Sequence, residues 1–367
     1  MKKIYYITYS SIPSSLPSSL QIIKTCESFV KNNYDVTLVK PGTGYKKISI
    51  KKYYGLVNNV KIKEFTSIKS FPQGLRFYLY SFYCLIFILK NKNSVTITRN
   101  YFVSYLLLLF GKEVVLEVHH DTNIEGRITK FILKYFNFFN KTNLLNIVAI
   151  SKAVKKLFIK KYKVDSKKIT VLPSGSSIRI GHKPKFYFNK RLKIGYFGSL
   201  SVSKGINVLI RLSKIDPSND YYIYGGSQKE KRKLKKKNMS KNLFLNQNIS
   251  YKILPKVMMK MDILTLPYAN VIKSAGEVDD ISKYTSPLKL FDYLAVGKII
   301  LSSNLKVLRE VISEKNAYFI NNYENIFEWK RMIKIIKNNR KKNLIMSANN
   351  FRLSKKYDHK NRVNKYL

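Results

Sequence analysis

Three short stretches of this chain hold side chains able to do chemistry. The first runs from Ile194 to Gly205 and reads I-G-Y-F-G-S-L-S-V-S-K-G. A strand ends at Gly198, a loop follows, and Lys204 sits immediately before a helix. A glycine there lets a ligand approach the backbone, and Lys204 supplies a mobile positive charge where an anion would lie. The second stretch, Ser286 to Ser302, reads as loop, cap, short helix and strand. Ser286 is placed as N-cap, with Pro287 at the first helical position, where its missing N–H costs nothing. The N–H groups of Leu288 and Lys289 would then point outward from a positive helix end, a seat for phosphate. Asp292 lies one turn inside that helix, Gly297 ends it, and Lys298-Ile299-Ile300-Leu301 opens a buried strand. The third stretch is Val114–Asp121, V-V-L-E-V-H-H-D, with His119 at a strand end. By spacing alone each stretch is also compatible with an ordinary α/β core. Neither the phosphate-loop pattern nor the dinucleotide glycine pattern is present.

The elements that must position these residues alternate along the whole chain. Lys3–Tyr9, Asp35–Val39, Ser94–Thr98, Glu113–Val118, Ile147–Ile150 and Ile169–Leu172 read as strands, with helices at Ser19–Asn32 and Lys152–Lys163. The pattern breaks around Gly181–Leu192 and restarts with Leu192–Phe197, Gly205–Lys214, Tyr221–Tyr224, Leu243–Leu245, Asp262–Pro267 and Ala317–Ile320. Such alternation indicates α/β architecture with doubly wound parallel sheets. A chain of 367 residues exceeds one comfortable core, so two Rossmann-like domains facing across a cleft are expected. Ligands of such sheets sit at the carboxyl ends of the strands.

Composition narrows the partners. Lys and Arg number 69 against 21 Asp and Glu, a formal net charge of +48, which favours anionic partners. An anionic membrane surface is expected. Nucleic acid is disfavoured, because the aromatic residues form no stacking platform and no nucleic-acid motif occurs. Phe77–Leu89 is uncharged but too short to span a bilayer and reads as a buried helix, as does Tyr101–Phe110. Ile128–Leu145 mixes Phe131, Phe136, Phe138 and Phe139 with Lys130, Lys134 and Lys141, the composition of an interfacial helix or of a solvated one with an apolar inner face. Lys229–Lys237 reads as a solvated basic helix face, or alternatively as an anionic-lipid patch. Cys26 and Cys84 make no disulfide framework, which fits a reducing compartment. His119, His120, His182 and His359 are too scattered for a metal site, and no Cys/His cluster has zinc spacing. The start M-K-K-I-Y-Y-I-T-Y-S reads as a first strand, not a signal peptide.

Taken together, strand-G-S-L-x-x-x-K-G and, some eighty residues later, S-P-L-K-L-F-D-Y-L-A-x-G-K resemble the C-terminal domain of family-4 glycosyltransferases, which have the GT-B fold. Ile150-Ser151-Lys152-Ala153 with I-T-V-L-P-S-G at Ile169–Gly175 resembles that family's stretch before the linker, and V-V-L-E-V-H-H-D its strand end. Ser18-Ser19-Leu20-Gln21 with Thr25-Cys26-Glu27 resembles the first-helix region of a subset acting in surface-polysaccharide synthesis.

The resemblance implies an acceptor domain over 1–183, a nucleotide-sugar domain over 184–350, and a helix over 351–367 returning to the first domain. It implies a hexosyltransferase-like enzyme, retaining and metal-independent, with no cofactor beyond a UDP- or GDP-linked sugar as substrate. The acceptor would be a lipid-linked saccharide or growing polysaccharide, the place of action cytoplasmic, at the inner face of the cell membrane. His119 and Lys204 match the catalytic positions. Gly198, Ser199, Lys204, Pro287, Leu288 and Lys289 match the donor-diphosphate seat. Asp292 matches the acid that hydrogen-bonds the nucleotide ribose, and Tyr284 and Ser286 fall where the donor sugar is contacted. Two departures stand out: Tyr284 occupies the place of the first acid of the E-x7-E motif, and Ser199 that of a phosphate-binding arginine. Glu277, Asp279 or Asp280 could replace the missing acid, and Lys289 the missing cation. Three other readings remain: an inactive sugar-nucleotide-binding protein on the same scaffold, a basic polyanion-binding protein, and a sugar-nucleotide epimerase.

Overall fold

The computed structural model describes residues 3–42, 49–65, 71–180, 191–235, 239–273 and 280–367. The chain divides into two compact units, Met1–Gly175 with His359–Leu367, and Ser176–Asp358. The break expected around Gly181–Leu192 and the candidate acids Glu277 and Asp279 lie outside the described residues. Residues 351–356, expected to leave the second domain, instead continue the helix Arg340–Lys356 within it, and the return begins at His359.

The first unit is built on seven strands: β1 (Lys3–Ile7), β2 (Asp35–Pro41), β3 (Lys61–Phe65), β4 (Ser94–Thr98), β5 (Glu113–Val118), β6 (Leu144–Ala149) and β7 (Ile169–Val171). They lie in the order 3-2-1-4-5-6-7, and every pairing is parallel. Helices cover the sheet, so its central strands are buried along nearly their whole length, including Tyr5 and Tyr6 of β1 and Thr96 and Thr98 of β4. β3, K-I-K-E-F, is not buried in this way. It is an exposed edge strand, recognisable only once β2 is there to pair with it.

The second unit has six strands: β8 (Lys193–Phe197), β9 (Asp220–Tyr224), β10 (Leu243–Asn246), β11 (Ile263–Leu266), β12 (Ile299–Ser303) and β13 (Ala317–Ile320). Their order is 10-9-8-11-12-13, again all parallel. Alternate residues feed two cores, one on each face. Ile299 and Leu301 of β12 join Leu209, Leu212 and Trp329 on one side, while Ile300 joins Leu290, Phe291 and Leu294 on the other. In both sheets chain order reverses beside the first strand, between β1 and β4 and between β8 and β11. That reversal opens a crevice at the carboxyl ends of the strands.

The helix expected to be buried over Phe77–Leu89 spans Gln73–Leu89 and buries one face only: Tyr80, Cys84 and Ile88 are inside, whereas Phe82, Tyr83 and Ile86 are exposed. Tyr101–Leu109 is buried as expected over most of its length, with Leu109 exposed. The interfacial stretch resolves into a helix, Arg127–Tyr135, a short turn, and β6.

One carboxylate organises the carboxyl ends of the first sheet. Glu117 is fully buried in β5 and accepts from Arg99 Nη2 (2.9 Å), His119 Nε2 (2.9 Å), Tyr6 OH (2.9 Å) and Tyr366 OH (3.0 Å), with Arg362 Nη2 at 3.4 Å. Arg362 also donates to the carbonyls of Pro173 and Leu172, which fastens the returning segment His359–Leu367 to the sheet. Burial alone would raise the Glu117 pKa, but the guanidinium of Arg99 and the histidine and Arg362 contacts outweigh it and hold the carboxyl well below its ordinary value. Glu117→Ala leaves two buried guanidinium groups unpaired, so it should destabilise the first unit by about 3–5 kcal/mol. Urea unfolding of the variant against wild type checks this.

Candidate functional site

The second crevice collects the sequence candidates. β8 ends at Phe197, whose N–H donates to the Tyr293 hydroxyl at 3.1 Å, and Gly198 N donates to Tyr224 O at 2.9 Å. Gly198 has φ +153, a backbone open to glycine, and a Cβ there would lie 2.8 Å from Lys289 Nζ. The Tyr196 hydroxyl donates to the Ser199 carbonyl at 2.7 Å and so pins the loop that follows. The Ser199 side chain is exposed.

A single turn, Val202–Lys204, then delivers the lysine. Gly205 at φ +81 passes so close to the end of β11 that an added Cβ would meet Pro267 O at 1.6 Å. Ala269 N donates to Ser203 O at 3.1 Å and locks the two loops together. Lys204 is thereby aimed across the crevice. Its Nζ donates to Lys273 O at 3.2 Å and stands 5.4 Å from the centre of the Tyr268 ring. Burial pushes this ammonium down to about 8.

The helix Leu288–Ala295 points its N-terminus into the same place. Here the expected cap is corrected. Pro287 has ψ 122, still extended, so it occupies the N-cap position itself. A proline N-cap has no side-chain oxygen to offer the first-turn N–H groups, and only its carbonyl serves, accepting from Leu290 N at 3.0 Å. The helix is held by its inner face, because Leu290, Phe291, Tyr293 and Leu294 are fully buried. Each such side chain contributes about 1.5–3 kcal/mol.

Lys289 lies on the outer side of that first turn. Its Nζ is sealed from solvent and has no hydrogen-bond partner among the described residues. It rests 4.1 Å from the Tyr196 ring centre and 5.0 Å from that of Tyr268, the ring that Lys204 also faces. Burial, and then the charge of Lys204, push the Lys289 ammonium well below its ordinary value.

Asp292 is buried deeper on the same helix. Its Oδ1 accepts from Ser176 Oγ at 2.6 Å and from the Tyr251 hydroxyl at 3.0 Å. That network ties the first residue of the second unit to the helix, a structural duty that the sequence did not foretell, since Ser176 and Tyr251 are remote in the chain. Tyr284 sits in the turn before the helix, with its N–H donating to Ile281 O at 3.0 Å. Asp280 caps that turn by accepting from Ser282 N at 2.9 Å and is exposed. Among the described residues, no three His, Cys, Asp or Glu side chains gather closely enough to hold a metal ion.

His119 belongs to the first unit. Its Nε2 bonds to Glu117 Oε1, and a carboxylate can only accept, so Nε2 carries the hydrogen and Nδ1 keeps a lone pair. Burial, and then the charge of Arg99, push the imidazole down to about 4 against the pull of Glu117, so it is neutral at physiological pH. Arg99, Glu117 and Arg362 are scattered along the chain, and only the fold gathers the two arginines at the carboxylate that holds this histidine.

With this geometry in place, comparison with known proteins is informative. Residues 180–352 match the family model described as glycosyl transferases group 1. No curated protein sequence matches the chain. Solved structures share the fold at low identity. A glycosyltransferase from Rickettsia africae aligns at 14% identity with a TM-score of 0.72, covering 99% of this chain and 96% of that one. Anabaena HepE, solved in complex with UDP and glucose, aligns at 12% with a TM-score of 0.71, covering 100% and 98%. The lipopolysaccharide outer core galactosyltransferase WaaB, in its apo form, aligns at 13% with a TM-score of 0.65, covering 100% and 99%. The two Rossmann-like units are those of the GT-B fold.

The closest backbone approach in the site gives a direct test. Gly205→Ala combines a left-handed backbone with a clash against a main-chain oxygen, so it should cost about 2–4 kcal/mol. Thermal unfolding measures the loss, and misplacement of Lys204 should appear as lost anion binding.

Proposed function

As residues 180–352 match the glycosyl transferases group 1 family model, we propose that the protein transfers a sugar from a UDP- or GDP-linked donor to a lipid-linked saccharide or growing polysaccharide. The observation that carries this reading is the convergence of Lys204 with the N-terminus of Leu288–Ala295, whose Lys289 faces the same Tyr268 ring. The bond that breaks joins the anomeric carbon to the diphosphate, and negative charge grows on the departing oxygen. An acceptor hydroxyl bonds the anomeric carbon, and its proton passes to the departing diphosphate oxygen. Lys204 and the N–H groups of the first turn would meet the growing charge, and preorganised donors of this kind contribute about 3 kcal/mol each in the transition state. A metal-independent reaction belongs to this reading because side-chain cations and N–H groups would meet the leaving charge. Retention of anomeric configuration follows from the family reading alone.

Other assignments belong to this proposal. Gly198 and Ser199 would lie along the diphosphate with Pro287 and Leu288, and Ser286 and Tyr284 beside the donor sugar. Asp292 would meet the ribose while keeping its bonds to Ser176 and Tyr251. His119, neutral and held by Glu117, would offer its Nδ1 lone pair to the reacting sugar. The first unit would bind the acceptor.

A membrane-borne acceptor is favoured by one surface. The helix Arg127–Tyr135 exposes Ile128, Phe131 and Tyr135, one stripe at helical spacing, beside Arg127, Lys130 and Lys134. Phe136 continues the stripe and packs on Tyr105. Neither this helix nor Tyr101–Leu109 nor Gln73–Leu89 contains an acidic residue. Aromatic rings flanked by lysines suit the boundary between anionic headgroups and acyl chains. Among the described residues no helix is long and apolar enough to cross a membrane.

Purified protein, sugar nucleotides and membrane extract should release nucleoside diphosphate, and Lys204→Ala should slow that release by about a hundredfold or more. No release with any common UDP- or GDP-sugar would overturn the activity. Binding without release would instead favour an inactive binding protein, the reading that Tyr284 and Ser199 invite. For the surface, Phe131→Ser with Lys134→Glu should abolish co-sedimentation with vesicles containing anionic lipid and leave donor binding unchanged. Equal sedimentation of variant and wild type would remove the membrane assignment.

A further inference from the structure

The two lysines of the crevice are unequal. Lys204 has a carbonyl partner in Lys273, while Lys289 Nζ is sealed between two aromatic rings with no described partner. A buried cation without a hydrogen bond or counter-charge is among the costliest groups a protein can hold, and a lysine escapes the cost by losing its proton. The groups facing it offer no relief. Tyr196 from β8 and Tyr268 beyond β11 are phenols that burial raises, so both stay neutral. Lys204, from the turn before the helix Ile206–Ile215, adds a like charge. On its own helix, the Tyr293 hydroxyl is taken by Phe197 N. Glu230, whose charge reaches Tyr196, accepts from Ser227 N instead.

Resting on the donor-diphosphate reading above, we propose that Lys289 is the second phosphate-binding cation of this site, and that it is charged only by a proton taken up from solvent as the diphosphate enters. Its position supports the role. Lys289 Nζ borders Gly198, directly before Ser199, where the sequence lacks an arginine, so the missing charge is returned from a different element. Empty, the crevice avoids two adjacent ammonium groups. Filled, the anion supplies counter-charge and hydrogen-bond acceptors to both, and the ammonium form of Lys289 becomes the stable one. One proton moves from buffer to Lys289 Nζ and no other bond changes. Linkage fixes the sign. A group whose affinity for protons rises on binding makes binding weaken as pH rises between its free and bound pKa values.

Calorimetric titration with UDP and with GDP, in two buffers of different ionisation enthalpy near pH 7, reads the proton count directly. Wild type should take up close to one proton per diphosphate. The ligand's own terminal phosphate, with a pKa of about 6, would release a proton on meeting cations, the opposite sign. Lys289→Arg, always charged, should bind with no uptake, and Lys289→Met should bind about tenfold or more weakly, also with no uptake. The same uptake in wild type and Lys289→Arg, or none in wild type, overturns the proposal while leaving the transferase reading intact. If neither nucleotide binds, the donor reading itself fails, and lysine side-chain NMR decides the inference without it. A Lys289 signal, identified by its loss in Lys289→Arg, that titrates near the ordinary 10.5 overturns the proposal. One that titrates well below this and is raised by pyrophosphate supports it.

Discussion

Two lysine side chains over one tyrosine ring, with no described carboxylate beside them, set the terms for the second unit. Charge of one sign in a dry place is unfavourable unless something else holds its carriers there. The holding is done by backbone and by apolar packing. Gly205 passes against Pro267, Gly198 leaves room for Lys289, and the inner face of Leu288–Ala295 is locked by Leu290, Phe291 and Leu294. The rings of Tyr196 and Tyr268 offer their faces to the cations, a contribution of about 0.5–2 kcal/mol each that lowers the cost without removing it. The rigidity of the site comes from the hydrophobic core beneath it.

Both crevices arise from the same topological fact. A parallel sheet whose order reverses beside its first strand splays the loops on either side of the reversal. In the second sheet those loops end in Lys204 and Tyr268. In the first, the neighbouring strand ends bear Arg99, Glu117 and His119. The electrostatic solutions differ. The first crevice encloses a carboxylate that is shared by two arginines and fixes a neutral histidine. The second has no described carboxylate beside its lysines. The shared carboxylate anchors the returning segment His359–Leu367 through Arg362 and Tyr366.

The excess of basic residues has a local meaning as well as a global one. A net charge of +48 would draw the protein to any polyanion. On the helix Arg127–Tyr135, however, the lysines flank exposed rings, and the three helices Gln73–Leu89, Tyr101–Leu109 and Arg127–Tyr135 have no acid among them. Nonspecific attraction and apolar contact therefore coincide on one face of the first unit.

Much of the scaffold was legible from residue order. β4, β5 and β13 fall where short runs of β-branched, aromatic and apolar residues between turn residues place them, because such residues suit a buried parallel strand. The edge strand β3 was not legible, since its alternating lysines resemble a loop until a neighbour supplies the ladder. The seat around Lys204 could be read because it depends on local signals, a glycine, a turn and a helix start. Ser286 misled as a cap because the ψ of Pro287, which shifts the helix start by one residue, is decided by packing and not by residue type. The pairing of Asp292 with Ser176 and Tyr251, the hub at Glu117, and the sealing of Lys289 between two rings required the tertiary structure. Sequence fixes which groups are present and which local turns they make. Whether a lysine is charged, or a carboxylate free, depends on neighbours that are distant in the chain and close in space.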